Sequence, residues 1–162
     1  MDKQTLIDSL SLVEHMEGGY FVETYRSTDT LPTEREGEVR DMCTSIFYML
    51  TDDRPTGYFH KNLSDIVHYF HSGSSLTYYL IDEAGTLTTQ VLGPNVHLGE
   101  KMQLIVPGNV WKATKLNDGE YGLLGEAVAP GFDFLDNTMA TQADMQQRYP
   151  QLWDKIAELV LP

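Results

Sequence analysis

From Met42 onward, turn signals follow one another about every 8–12 residues, and this spacing constrains the fold more than any other feature. Asp52-Asp53-Arg54-Pro55, Asp82-Glu83-Ala84-Gly85, Gly93-Pro94-Asn95, Pro107-Gly108-Asn109 and Asn117-Asp118-Gly119 are clusters of the residues that favour turns. Between them lie short segments rich in aromatic and β-branched residues, the composition of strands. Nine such segments are predicted: 20–25, 44–50, 58–61, 65–70, 76–81, 87–92, 102–106, 110–116 and 121–128. Intervals this short leave no room for the helical crossover that a parallel pair requires. The chain is therefore predicted to be all-β, an antiparallel barrel or sandwich.

The ends read differently. Leu6, Ile7, Leu10 and Val13 recur at helical spacing over residues 3–12, and Gly18-Gly19 breaks the pattern. Thr141 stands three residues before Asp144, a capping-box-like start for a helix that Tyr149-Pro150 interrupts, and Leu152, Ile156, Leu159 and Val160 then suggest a C-terminal helix over 151–162. These helices are predicted to pack outside the β body. The polar stretch from Ser27 to Arg40 is predicted to be an exposed loop. No repeat or linker divides the 162 residues, so a single domain is expected over 1–162.

Charge narrows the partners. Asp and Glu number 24 against 11 Lys and Arg, a net charge of −13. A duplex binder needs clustered cations to displace counterions, so nucleic acid is not an expected partner, nor is an anionic membrane surface. No apolar run approaches a membrane span, and the N-terminal segment does not resemble a signal peptide. Cys43 is the single cysteine and is expected to be a small buried apolar group in a reducing compartment, the cytoplasm.

Few residues can carry chemistry. The histidines are His15, His60, His68, His71 and His97, and no H-E-x-x-H, C-x-x-C, Walker A, G-x-G-x-x-G or G-x-S-x-G segment occurs. Alternation along the strand at 65–70 puts Ile66, His68 and Phe70 on one face and Asp65, Val67, Tyr69 and His71 on the other. Both faces are partly apolar, so a second layer or a subunit interface is expected to cover each. If Ile66 faces the interior, His68 does too, and His60 can join it. That places two imidazoles in an apolar wall, either as a ligand site or as two structural histidines.

Further motifs carry a family resemblance. Glu17-Gly18-Gly19-Tyr20-Phe21 and Glu23-Thr24-Tyr25-Arg26-Ser27 open it, with His15-Met16 where a His-Pro pair is usual. Thr44–Leu50, Phe59-His60-Lys61, Ser64-Asp65, Gly73, Leu92-Gly93, Gly99-Glu100, Gln103, Val106-Pro107 and Trp111 continue it, and Val128-Ala129-Pro130-Gly131-Phe132-Asp133-Phe134 is the strongest late segment. Over about residues 12–150 the chain resembles a family of small single-domain cupins. The resemblance implies a double-stranded β-helix, the cupin jelly-roll barrel, with short terminal helices, and a homodimer.

The wider cupin superfamily often binds a metal through His-x-His, a glutamate and a later histidine. In this chain His60, Asn62, Ile66 and Lys112 stand at those positions. One ligand of four is too few for a transition metal, so no metal and no cofactor are expected. The resemblance instead implies a metal-free pocket for a small, carbohydrate-like molecule, lined by Tyr48, His60, Asn62, His68, Phe70, Gln103, Trp111, Lys112 and Phe132. Trp111 alternates with Lys112, so the two compete for the interior. Glu126 is expected to be a solvated or interface carboxylate unless it is buried beside Lys112 or His68.

Two functions follow. The first is a sugar isomerase or epimerase, resembling metal-free deoxysugar epimerases. His60 would be its base, oriented by Asp65 or another carboxylate, with Tyr48 or Tyr78 returning the proton and Lys112 steadying an enolate oxygen. The second is a non-catalytic barrel that binds a small ligand.

Overall fold

Alternating side chains give each strand one face toward a common interior, and the strands close into two facing sheets. In the computed structural model, which describes residues 2–162, the chain runs α1 (Lys3–Leu10), β1 (Val13–Glu14), β2 (Tyr20–Arg26), β3 (Thr30–Pro32), β4 (Val39–Asp41), β5 (Thr44–Thr51), β6 (Thr56–Asn62) and β7 (Asp65–Gly73). It continues through β8 (Leu76–Ile81), β9 (Leu87–Leu92), β10 (Gln103–Val106), β11 (Trp111–Leu116), β12 (Tyr121–Ala129), β13 (Asn137–Met139), α2 (Gln142–Arg148) and α3 (Trp153–Ile156). One sheet has the order β1-β2-β5-β12-β7-β10 and the other β13-β6-β11-β8-β9, with β3 and β4 pairing apart from both. Every pair of strands is antiparallel. This is the antiparallel β body that the turn spacing predicts, closed as the jelly roll that the resemblance implies.

The interior is divided along its length. At one end Leu50, Leu76, Tyr78, Leu80, Leu92, Leu104, Leu116 and Leu124 pack into an apolar plug. The other end is formed by the starts of β5, β7 and β11 and the ends of β6 and β12, and it holds the polar residues described below. α1 lies outside the larger sheet, where Leu6 and Leu12 pack on Met49 and Leu123. The C-terminal segment covers the outside of the smaller sheet. There Met145, Ile156, Leu159 and Val160 pack on Phe59, Ile81, Trp111 and Ala113.

Two expectations at element level are corrected. The segment expected as an exposed loop over Ser27–Arg40 contains the β3–β4 hairpin, with Leu31 opposite Arg40. Arg40 is buried and donates to both oxygens of Asp136 at 2.7 and 3.0 Å, and Arg35 donates to Asp136 Oδ2 at 2.7 Å. A charged residue need not be solvated where a partner neutralises it. The C-terminal helix expected over 151–162 is broken. α2 ends at Arg148, 3₁₀ turns cover Pro150–Leu152 and Ala157–Leu159, and only Trp153–Ile156 is α-helical. Pro150 lacks the N–H that would continue α2. Among the described residues no helix is long and apolar enough to cross a membrane.

Candidate functional site

The polar end of the barrel opens into a cavity of about 170 Å³. Phe21, Ile46, Ile66, Val128, Phe132 and Phe134 form its apolar wall, and His15, Glu17, His60, Asn62, Lys112, Glu126 and Asn137 bring polar groups to it. A cavity near 150 Å³ is known to take a benzene-sized guest, so this one suits a molecule of about six heavy atoms.

The Gly18-Gly19 break places Glu17. Gly18 has φ +101°, and a Cβ there would lie 2.0 Å from the Thr56 carbonyl oxygen. Glycine alone allows this approach, and it lets the Tyr58 N–H donate to the Glu17 carbonyl at 2.7 Å. Glu17 is thereby fixed against β6. Its Oε2 lies 3.3 Å from His60 Nε2, and its Oε1 accepts from Asn137 Nδ2 at 2.8 Å.

His60 Nδ1 is 2.8 Å from the Tyr58 carbonyl oxygen. A carbonyl only accepts, so Nδ1 carries the hydrogen. Nε2 then turns its lone pair toward the Glu17 carboxylate. Burial lowers the His60 pKa below 6.5; Lys112 adds to this and Glu17 opposes it.

Across the β6–β11 pair, Lys112 is the register partner of His60. Its Nζ lies 3.5 Å from Glu126 Oε1 and 3.4 Å from His68 Nε2. An ammonium only donates, so His68 Nε2 accepts and Nδ1–H points to Glu126 Oε1 at 3.2 Å. His68 is completely buried, and burial together with Lys112 lowers its pKa to about 4. Burial pushes the Glu126 carboxyl up, but Lys112 and His68 outweigh it and hold the group below the usual carboxylate range. The expectation of a solvated or interface Glu126 is thus corrected. Glu126 is opposite both Ile46 and His68 in the sheet register, and it faces inward with them.

Of the residues expected in the lining, His60, Asn62, Lys112 and Phe132 meet at this cavity. His68 stands behind it, in contact with Glu126 and Lys112. Tyr48 is buried in the apolar plug and its hydroxyl donates to the Gly18 carbonyl at 2.8 Å, so it braces the Gly-Gly turn and does not face the cavity. Phe70 also packs against the plug. Gln103 is exposed, because Leu104 and Val106 take the inward positions of β10. Trp111 lies outside the smaller sheet against the C-terminal segment, since its neighbour Lys112 points inward. Asp65 does not orient His60; its Oδ1 accepts from the Gly108 N–H at 2.8 Å. Among the residues that bring polar groups to the cavity, those that sequence reasoning missed are His15, Glu17 and Asn137. Glu17 was visible in the Glu-Gly-Gly motif, but only as a family mark; nothing local to Asn137 signals its role.

The metal positions of the wider superfamily fall at this same cavity, and the residues there do not fit a metal. Ile66 has no lone pair to donate, and the Lys112 ammonium, held by Glu126, repels a cation.

Comparison with known proteins agrees with the fold. The family model described as cupin superfamily (DUF985), Cupin_5, matches residues 4–140. The uncharacterized protein YML079W of Saccharomyces cerevisiae is 38% identical over 154 residues, which span 87% of this chain and 76% of that protein. A hypothetical protein from Leishmania major superposes with a TM-score of 0.91 at 30% identity, covering all of both chains. Protein SO0799 from Shewanella oneidensis superposes with a TM-score of 0.92 at 32% identity, covering 100% of this chain and 99% of that one.

Proposed function

This chain belongs to the cupin superfamily family DUF985, and we propose that its barrel binds a small, uncharged carbonyl compound of carbohydrate type and moves a proton on the carbon beside the carbonyl without a metal. The observation that carries this reading is the buried His60–Glu17 pair at 3.3 Å, with Lys112 beside His60 on the neighbouring strand and all three lining the cavity. Isomerisation and epimerisation both remove a proton and return one. The His60 Nε2 lone pair can take the substrate proton, and the imidazolium that forms beside the Glu17 carboxylate can return it. Lys112 is paired with Glu126, so it would steady an enolate oxygen as a hydrogen-bond donor, in a site where burial strengthens the bond. Tyr78, whose hydroxyl is 3.1 Å from His68 Nδ1, adds a further hydroxyl to the Lys112–Glu126–His68 group.

The charges of the cavity speak against an anionic substrate. Lys112 is matched by Glu126, and Arg26 at the cavity edge donates to Glu23 at 2.7 and 3.0 Å and also to Asp41. Neither cation is left over for a phosphate, so a sugar nucleotide is disfavoured.

The test is solvent exchange. In D₂O the protein is expected to incorporate deuterium beside the carbonyl of glyceraldehyde or dihydroxyacetone, read by NMR, and His60→Ala is expected to slow this by about a hundredfold or more. Exchange that persists at full rate in a folded His60→Ala variant removes His60 from the reaction. Binding with no exchange in the wild type favours the non-catalytic binder instead.

A further inference from the structure

Two buried amide atoms at the cavity have no hydrogen-bond partner among the described residues: Asn62 Nδ2 and Asn137 Oδ1. One is a donor and the other an acceptor. Asn62 and Asn137 are register partners on neighbouring strands β6 and β13, and both line the cavity.

The orientation of each amide is fixed by its other atom. Asn62 Oδ1 accepts from the Ser64 N–H at 2.9 Å, which leaves Nδ2 as the free end. Asn137 Nδ2 donates to Glu17 Oε1 at 2.8 Å, which leaves Oδ1 as the free end. Flipping either amide would break a bond that the structure makes. Buried amides are rarely left unpaired, because each unmet group keeps its full desolvation penalty. An unmet donor beside an unmet acceptor matches the two capacities of a hydroxyl, which gives one hydrogen and accepts another. A carboxylate or phosphate could use only the donor, and an ammonium only the acceptor.

We propose that Asn62 and Asn137 form a subsite that reads an uncharged hydroxyl group of the ligand, accepted by Asn137 Oδ1 and donated to by Asn62 Nδ2. The assignment rests on the proposed binding of a carbohydrate-like carbonyl compound and adds to it. It defines the ligand as a hydroxycarbonyl compound and joins the subsite to the reacting pair, since Asn137 also holds Glu17. Sites built to bond a hydroxyl reject the analogue without it, because their own groups then stay unpaired.

The experiment compares dihydroxyacetone with hydroxyacetone, which lacks one hydroxyl. Binding is measured by ligand-observed NMR titration, and deuterium exchange is measured separately. Wild-type protein is expected to bind dihydroxyacetone at least about tenfold more tightly. Asn62→Asp keeps the oxygen that caps Ser64 but loses the donor, and is expected to reduce that preference below about threefold. Asn62→Ser, smaller and uncharged, is expected to do the same, and a thermal melt reports that each variant is folded. A wild type that binds both compounds equally, or binds neither, overturns the subsite, as does a preference unchanged in both folded variants. If the preference and its loss are seen without deuterium exchange, the subsite stands and the proposed reaction fails. If exchange proceeds on both compounds alike, the reaction stands and the subsite fails.

Discussion

His68 is held uncharged inside the barrel, and this makes the fold sensitive to acid. Its pKa is about 4 when folded, against 6.5 for the free side chain. Between those values the unfolded chain takes up a proton that the folded chain refuses, so stability falls as pH falls through this window. The loss from His68 is on the order of 3 kcal/mol once both states are protonated. Glu126 acts in the same direction lower down. Its folded pKa is depressed, so its contribution is present above its ordinary pKa of 4.5 and is lost below it. Urea denaturation is expected to show a progressive decline from pH 7 to 4.5, and His68→Gln is expected to flatten the part between 6.5 and 4. Equal stability of the wild type at pH 7 and 4.5 would contradict a neutral His68. Parity along β7 was enough to point His68 inward. It could not reveal Glu126 and Lys112 on either side, because those residues arrive from β12 and β11.

At the scale of elements, the β3–β4 hairpin is tied down by charge. Arg40 and Arg35 both donate to Asp136, and Arg35 also donates to the Ser64 hydroxyl at 2.7 Å. Burial raises the Asp136 pKa, but the two guanidiniums outweigh it and hold the carboxyl below its ordinary value. Removing one member of a buried ion pair strands the other, so Asp136→Ala is expected to lower Tm by roughly 10 °C. A shift under about 2 °C would mean that the hairpin is not latched. The strands themselves were legible: β8 and β9 were predicted residue for residue, since turn residues bracket both. The hairpin was not, because its strands are three residues each and the pairing that buries Arg40 comes from Asp136, nearly a hundred residues later.

For the whole molecule, the homodimer implied by the family resemblance is a proposal about mass. Val67, Tyr69 and Ile105 lie together on the outer face of the larger sheet, where Ile105 is opposite Val67, and Ile105 is 55% exposed. Light scattering is expected to give twice 18.3 kDa, and Ile105→Lys is expected to shift the protein toward one copy. A single-copy mass for the wild type at micromolar concentration removes the dimer.

The sequence by itself determined the class of fold, the antiparallel pairing and the face on which most strand residues lie. These follow from local rules: turn residues end strands, and side chains alternate with a period of two. It also determined that the superfamily's metal positions hold Ile66 and Lys112, because identity at a position needs no geometry. Only the tertiary structure decided the site. Glu17, His60, Lys112, Glu126 and Asn137 come from five separate parts of the chain, and Asn137 bonds Glu17 across 120 residues of sequence. Closure of the barrel brings them together, and the Leu-rich plug leaves the cavity at one end only. A side chain's direction is a local property, whereas its neighbour across a closed sheet depends on every strand between them.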